Sequence, residues 1–366
     1  MNLQPLASRI MLVVFALLLA TLVSPQPSGL AADALPVYVV APGGKDAPHS
    51  AASQATAFGT LQFALEQVPC GSTIQVQDGR YEEDLDLNRP DCLQSAAPIT
   101  ISGSPAAILV GAGDTYIVEV FTGNITLTGF SIDGEYTPGD YRKKLVYVAA
   151  PDVTRLTLSN LVLRNAREEC VRLRLNATHN VIMNNRFEYC GRVGGGSTGD
   201  NREAIYIGST ASHQPDDQTR FNWIIGNTFN LGLADGTGSE CIDIKENAAF
   251  NLVEGNHCTH QTSDPESGGI NVNGHDNLIV NNRIEDNAGS GIRLGPGSAD
   301  TEQSGRSNVV MGNIIRYNAR FGINALFEPL PAEIALIRGN CIEESGDSRV
   351  NRDALKNAAT DEACVT

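Results

Sequence analysis

The sequence predicts an all-β chain, a right-handed parallel β-helix (a solenoid of roughly ten coils) with a short N-terminal capping helix. Three observations carry this. A corner asparagine recurs every 25 residues or more, a second short apolar strand lies between successive asparagines, and no convincing helix interrupts them. The asparagine stands in TLSNLVL (157–163), VIMNNRF (181–187), IIGNTFN (224–230), LVEGNHC (252–258), LIVNNRI (278–284), VVMGNII (309–315) and LIRGNCI (336–342). Positions 160, 185, 227, 256, 282, 313 and 340 are separated by 25, 42, 29, 26, 31 and 27 residues, a unit that carries insertions of variable length. Stacked corner asparagines can hydrogen-bond along the axis, as amide ladders do in cross-β stacks. A leucine-rich solenoid lacks its leucine framework here, and a propeller needs blades of about 40 residues or more.

Taken in chain order, residues 1–31 read as a secretory signal peptide. Arg9 precedes the apolar run Ile10 to Val23, and the small-residue stretch SGLAADA follows. The run is shorter than the roughly 20 residues that span a bilayer, and no later segment is apolar for long enough, so no membrane contact is expected after cleavage. Residues 32–366 then form one β-helix domain, secreted and monomeric, with an N-terminal cap over about 35–70. Within it FGTLQFALEQV (58–68) has helical spacing, and a terminal helix would cover the open apolar end of the stack. Eight cysteines on an exported chain imply disulfides. Sequence cannot choose among the pairings; near neighbours, Cys70 with Cys92 and Cys341 with Cys364 at the C-terminal end, are preferred. Asn124 and Asn176 are glycosylation acceptors if the host is a eukaryote. The net charge of −16 argues against nucleic acid as a partner.

The second strand recurs as CVRLR (170–174), AIYIG (204–208), CIDIK (241–245), GINVN (269–273), GIRLG (291–295) and GINAL (322–326). Aligned on the first apolar residue, these strands stack into columns about 4.8 Å apart. One column reads Arg172, Tyr206, Asp243, Asn271, Arg293, Asn324. Two residues on, facing the same way, come Arg174, Gly208, Lys245, Asn273, Gly295 and Leu326. At the entering corner stand Glu169, Glu203 and Glu240, then Gly268, Ser290 and Phe321. The long polar insertions 191–201, 209–220, 232–239, 260–267 and 295–306 adjoin the same coils, as loops walling a groove would. An exposed β-face must also be polar, and a ladder of paired charges would serve as plain scaffold. Here, however, the charge peaks where the loops are longest.

β-Elimination on an acidic polysaccharide needs the substrate carboxylate neutralised, a base beside its α-proton, and a tolerated leaving oxygen. Calcium suits the first task, with Glu203, Glu240, Asp243 and Asn271 as oxygen donors. Lys245 is the leading base; carboxylates alone would hold it protonated, and a dication with arginine neighbours would reverse that balance. Arg172, Arg174, Tyr206 and Asn273 are assigned to substrate, and Arg293 to catalysis or to clamping a substrate carboxylate. Two carboxylates about 5–9 Å apart could instead serve a glycoside hydrolase. A uronan epimerase, or a secreted β-helix that binds carbohydrate with Tyr206 as a sugar platform and no competent base, completes the alternatives.

YVVAPGGKDAP (38–48) followed by AFGTLQFALEQVPCGSTIQVQDGRY (57–81) resembles the opening of secreted proteins of the pectate-lyase-like β-helix superfamily. That resemblance implies the fold, and members differ in activity. ECIDIKEN (240–247) is similar to a strand of polysaccharide lyase family six, the alginate lyases and chondroitinase B, in which a calcium-binding glutamate stands five residues before a catalytic lysine. Glu240 and Lys245 match that spacing. The family's second glutamate falls on Gly238, and its arginine one coil later meets GINVNGH, with Asn271, Asn273 and His275; Arg293 would then substitute. The motifs of polygalacturonase-like hydrolases and mannuronan epimerases are absent.

Overall fold

The structure, a computed structural model, describes residues 36–48, 57–113, 115–192, 202–232, 239–261, 266–296, 304–326, 335–343, 345–346 and 348–350. Residues 1–31, read from sequence as a signal peptide, and Cys364 lie outside them. From Pro36 onward the chain forms one compact unit. Three long sheets run along it, of 11, 10 and 10 strands, and every pairing between successive coils is parallel. Sheet 1 contains strands such as Val181–Met183 and Trp223–Ile225, sheet 2 Arg186–Glu188 and Thr228–Asn230, and sheet 3 Ile205–Ile207 and Ile242–Ile244. Among the described residues the one α-helix, α1 (Leu61–Gln67), packs Leu61, Ala64 and Leu65 over the N-terminal end of the stack. Thr60 caps it, and Glu83 accepts from the free N–H groups of Leu61 and Gln62.

Strands this short give one or two residues to the interior and the rest to the surface, so like side chains stack coil on coil. Sheet 3 sends Ile205, Ile242, Ile270, Ile292 and Ile323 inward, all fully buried. Phe187 and Phe229 do the same from sheet 2, with ring centroids 4.8 Å apart. The asparagine ladder runs through the corner between sheets 1 and 2. Asn185, Asn227, Asn256, Asn282 and Asn313 each donate side-chain N–H to the Oδ1 of the next, ending on Asn340, at 2.9–3.0 Å. Asn160 is not a rung. Ser159 pairs with Met183, so Asn160 aligns with Asn184, at the positive-φ position beside the ladder, and Leu161 takes the rung. A second ladder at the corner leading into sheet 1, Asn180–Asn222–Asn251–Asn277–Asn308, stands five residues before the first.

Each rung satisfies backbone groups of two neighbouring coils. Asn227→Ala strips partners from Ile182 O, Asn185 and Asn256, and is expected to cost about 3 kcal/mol or more in chemical denaturation. Asn184→Gly, at φ 55°, should be near neutral. Equal effects for the two variants would show the ladder to be passive.

Between described residues the disulfides are Cys70–Cys92, Cys170–Cys190 and Cys241–Cys258. The first is a pairing preferred from sequence. Cys341 is also disulfide-bonded. The second and third each close a single coil, from the entering corner of sheet 3 round to sheet 2, at separations of 20 and 17 residues. Asn124 is 4% exposed and donates to Cys92 O at 2.8 Å, which corrects its reading as an accessible glycan acceptor. No helix among the described residues is long and apolar enough to cross a membrane.

Candidate active site

The strand columns expected from sequence are in register. Arg172 pairs with Tyr206, Tyr206 with Asp243, Asp243 with Asn271, Asn271 with Arg293 and Arg293 with Asn324. Parallel pairing without a bulge keeps these side chains on the outer face of sheet 3, because their neighbours Ile242 and Ile244 point into the core. Insertions leave this sheet at both edges, and most of their residues lie outside those described.

Three carboxyls meet in two adjacent coils. Glu203 is 6% exposed, Glu240 5% and Asp243 1%. Glu240 accepts from Ser239, Ser267 and, at 3.0 Å, Asn271 Nδ2. Glu203 Oε2 and Asp243 Oδ1 have no hydrogen-bond partner. Lys245 Nζ stands 2.5 Å from Asp243 Oδ2, a charge contact outside hydrogen-bonding geometry. Burial, then Glu240, push the Glu203 carboxyl well above the usual range; burial, then Asp243, push Glu240 up. Burial opposes the Lys245 ammonium, but Asp243, then Tyr206 and Glu203, outweigh it and hold its pKa well above that of a free lysine.

Donor chemistry and charge fit a dication. With all groups ionised, three carboxylates face one ammonium, a deficit of two charges, and the orphaned oxygens are hard donors. The donors are not gathered into a cage: among the described residues no three carboxylates of this cluster bring oxygens within 4.8 Å of one another. Lys245 Nζ stands against Asp243 Oδ2, so closure on an ion requires the side chains to turn.

The remaining residues divide around this centre. Arg293 reaches back one coil and donates to Asn273 Oδ1 at 3.1 Å and Asn271 Oδ1 at 3.4 Å, so its guanidinium serves the coil where the lyase resemblance expects an arginine. Arg172 pairs with fully buried Glu169, and Arg174 donates to the Tyr147 hydroxyl. Gly208, at φ 85°, lies against Ala248 and Lys245, whose Cβ atoms an added Cβ would meet at 3.0 and 3.6 Å. Tyr206 corrects the expectation of a sugar platform. It is 1% exposed, its ring lying 4.2 Å from Arg172 and 4.6 Å from Lys245, and burial first of all raises its pKa to about 12. It spaces two cations instead of presenting a bare face.

The columns read from sequence start at Arg172; in the structure they continue toward the N-terminus. Tyr147 pairs with Arg172, Glu119 with Tyr147 and Asp86 with Glu119. The same in-out alternation is visible in KLVYV (144–148), YIVEV (116–120) and LDL (85–87). At the corner, buried Lys144 is pinned by Glu168 and Glu169, which neutralises Glu169 and sets it apart from the carboxyls at Asp243.

Neither a protein-family model nor a curated protein matches the chain. Solved structures do. An alginate lyase from Paenibacillus sp. superposes with a TM-score of 0.61 at 19% identity, over 80% of this chain and 96% of that one. The fold is that of the pectate-lyase-like β-helices. Pectate lyase Pel9A gives 0.60 at 13% identity, over 86% of this chain and 77% of that one. PfbA, a surface adhesin of Streptococcus pneumoniae, gives 0.57 at 14%, over 77% and 73%. Identities this low establish the pectate-lyase-like architecture and leave the chemistry to the site.

Proposed function

We propose that this pectate-lyase-like protein is a secreted polysaccharide lyase that cleaves an acidic, uronate-containing polymer by β-elimination on the outer face of sheet 3. The observation that carries the reading is the buried cluster Glu203, Glu240, Asp243 and Lys245, flanked in register by Arg172 and Arg293. Calcium, held by Glu203, Glu240, Asp243 and Asn271, would neutralise the substrate carboxylate. Arg293, fixed by two amides, orients that carboxylate, and Arg172 and Arg174 receive its neighbours along the chain. As the neutral amine, its own proton first given up to solvent, Lys245 takes the α-proton while a C=C bond forms and the bond to the glycosidic oxygen breaks, water protonating that oxygen; Asn273 keeps the arginine in place. Burial of the cluster excludes water and strengthens each interaction. The neighbouring lyase structures support this through their fold.

Lys245 held protonated by Asp243 favours the second reading, a protein that binds acidic carbohydrate without cleaving it. Mass spectrometry of polymer digests separates these readings. Elimination gives products lighter by one water than those of hydrolysis, and a binding protein gives none.

A further inference from the structure

Beyond the cluster, sheet 3 changes character toward the N-terminus. One strand past Arg172 stands Tyr147, half-buried, its ring stacked on Tyr116 with centroids 4.3 Å apart and 16° between planes. Arg174 donates to the Tyr147 hydroxyl, its guanidinium lies 5.4 Å from the ring centre, and its buried Nε has no partner. One strand further, the column turns acidic. Glu119 is in register with Tyr147 on one side and Asp86 on the other. Asp84, held by the backbone N–H groups of Ala112 and Gly113, adds a third carboxylate. Crowding is enough that partial burial, then Asp86 and Asp84, raise the pKa of Glu119.

We infer that Tyr147 and Arg174 form the last sugar subsite on this side of the groove, and that Glu119 with Asp86 closes it to any longer anionic chain. The inference rests on the lyase reading and adds a cleavage mode to it. The Tyr147 ring, buttressed by Tyr116, gives the apolar body that a pyranose face packs against, and Arg174, its guanidinium held at the Tyr147 hydroxyl, supplies the cation for the uronate carboxylate. From Asp243 to Tyr147 is three strand spacings, about 14 Å, and Glu119 lies about 19 Å away. A pyranose in an extended chain advances by about one such spacing, so this side holds about three sugars before like charges meet. Toward Asn271, Arg293 and Asn324 the same column carries amides and a cation, and among its described residues no carboxylate to stop the polymer. The enzyme therefore works from chain ends and releases short oligosaccharides.

The test is the product-size distribution and viscosity time course on whichever acidic polymer the native protein cleaves, compared for native, Glu119→Lys and the doubly neutral Asp86→Asn/Glu119→Gln. Native enzyme should release mainly products of up to three units, with viscosity falling slowly. Both variants, checked for native melting temperature, should give longer early products and a viscosity drop several-fold faster per bond broken. Tyr147→Ala should raise KM for tetramers and longer chains more than for trimers. Active native enzyme with long early products, or product sizes unchanged in both charge variants, overturns the inference and leaves the lyase reading standing. Native protein that cleaves no acidic polymer, whether or not it binds one, removes the lyase reading, and the inference with it.

Discussion

Lys245→Ala is expected to lower turnover by about 10²–10⁴-fold, the range lost when a positioned general base is removed. Binding of the acidic polymer should persist, because Arg172, Arg174 and Arg293 are not touched. The change belongs in kcat more than in KM, which distinguishes lost proton transfer from lost affinity. Lys245→Arg is the informative companion. It keeps the charge beside Asp243 but places a group there that stays protonated at any working pH, so turnover should remain as low as in the alanine variant. Recovery of activity in the arginine variant would show that position 245 contributes charge alone. Retained binding with no turnover in the native protein as well would favour the binding reading.

Calcium and pH should act on this protein in opposite senses. In the folded chain Glu203 and Glu240 have carboxyl pKa values raised above the ordinary 4.5. The folded state therefore keeps protons that the unfolded state releases. Their stabilisation is complete below the ordinary carboxyl pKa and is lost as pH rises above it, by up to about 1.4 kcal/mol per pH unit for each proton held only by the folded state. Lys245, with its pKa raised above the ordinary 10.5, contributes a loss only at alkaline pH, so it does not offset this. The melting temperature without calcium should fall between pH 5 and pH 8. Calcium should restore it, little at the acid end and by about 2.7 kcal/mol at neutral pH when present at a hundred times its Kd. Glu240→Gln should remove most of that gain while leaving the asparagine ladders intact. A calcium effect independent of pH, or one that survives Glu240→Gln, would place the ion elsewhere.

The sheet 3 columns could be read from sequence because parallel pairing without bulges makes spatial neighbours a matter of alignment. Once Ile242 and Ile244 face the core, Asp243 must stack on Tyr206 and Asn271. The same rule reaches Tyr147, Glu119 and Asp86, but their coils lack the corner asparagine that makes the repeat visible. Asn160 mimics a rung in sequence but stands one residue before it, because its coil has Leu161 on the rung. Burial was less legible than register. Nothing in AIYIG says that Tyr206 lies between two cations, since that depends on Arg172 and Lys245 folding over it from either side. That carboxylates would hold Lys245 protonated is legible in ECIDIKEN; that its partner is Asp243 of its own strand, and not a carboxylate of a neighbouring coil, is not.

The most direct test of the central claim is ultraviolet absorbance from an unsaturated uronate end, followed while purified protein acts on pectate, alginate and glycosaminoglycan polymers with calcium or with chelator. The account predicts an absorbance rise on at least one of these polymers, abolished by chelator and absent in Lys245→Ala. New reducing ends without that absorbance, or a rise that chelator leaves unchanged, would contradict it.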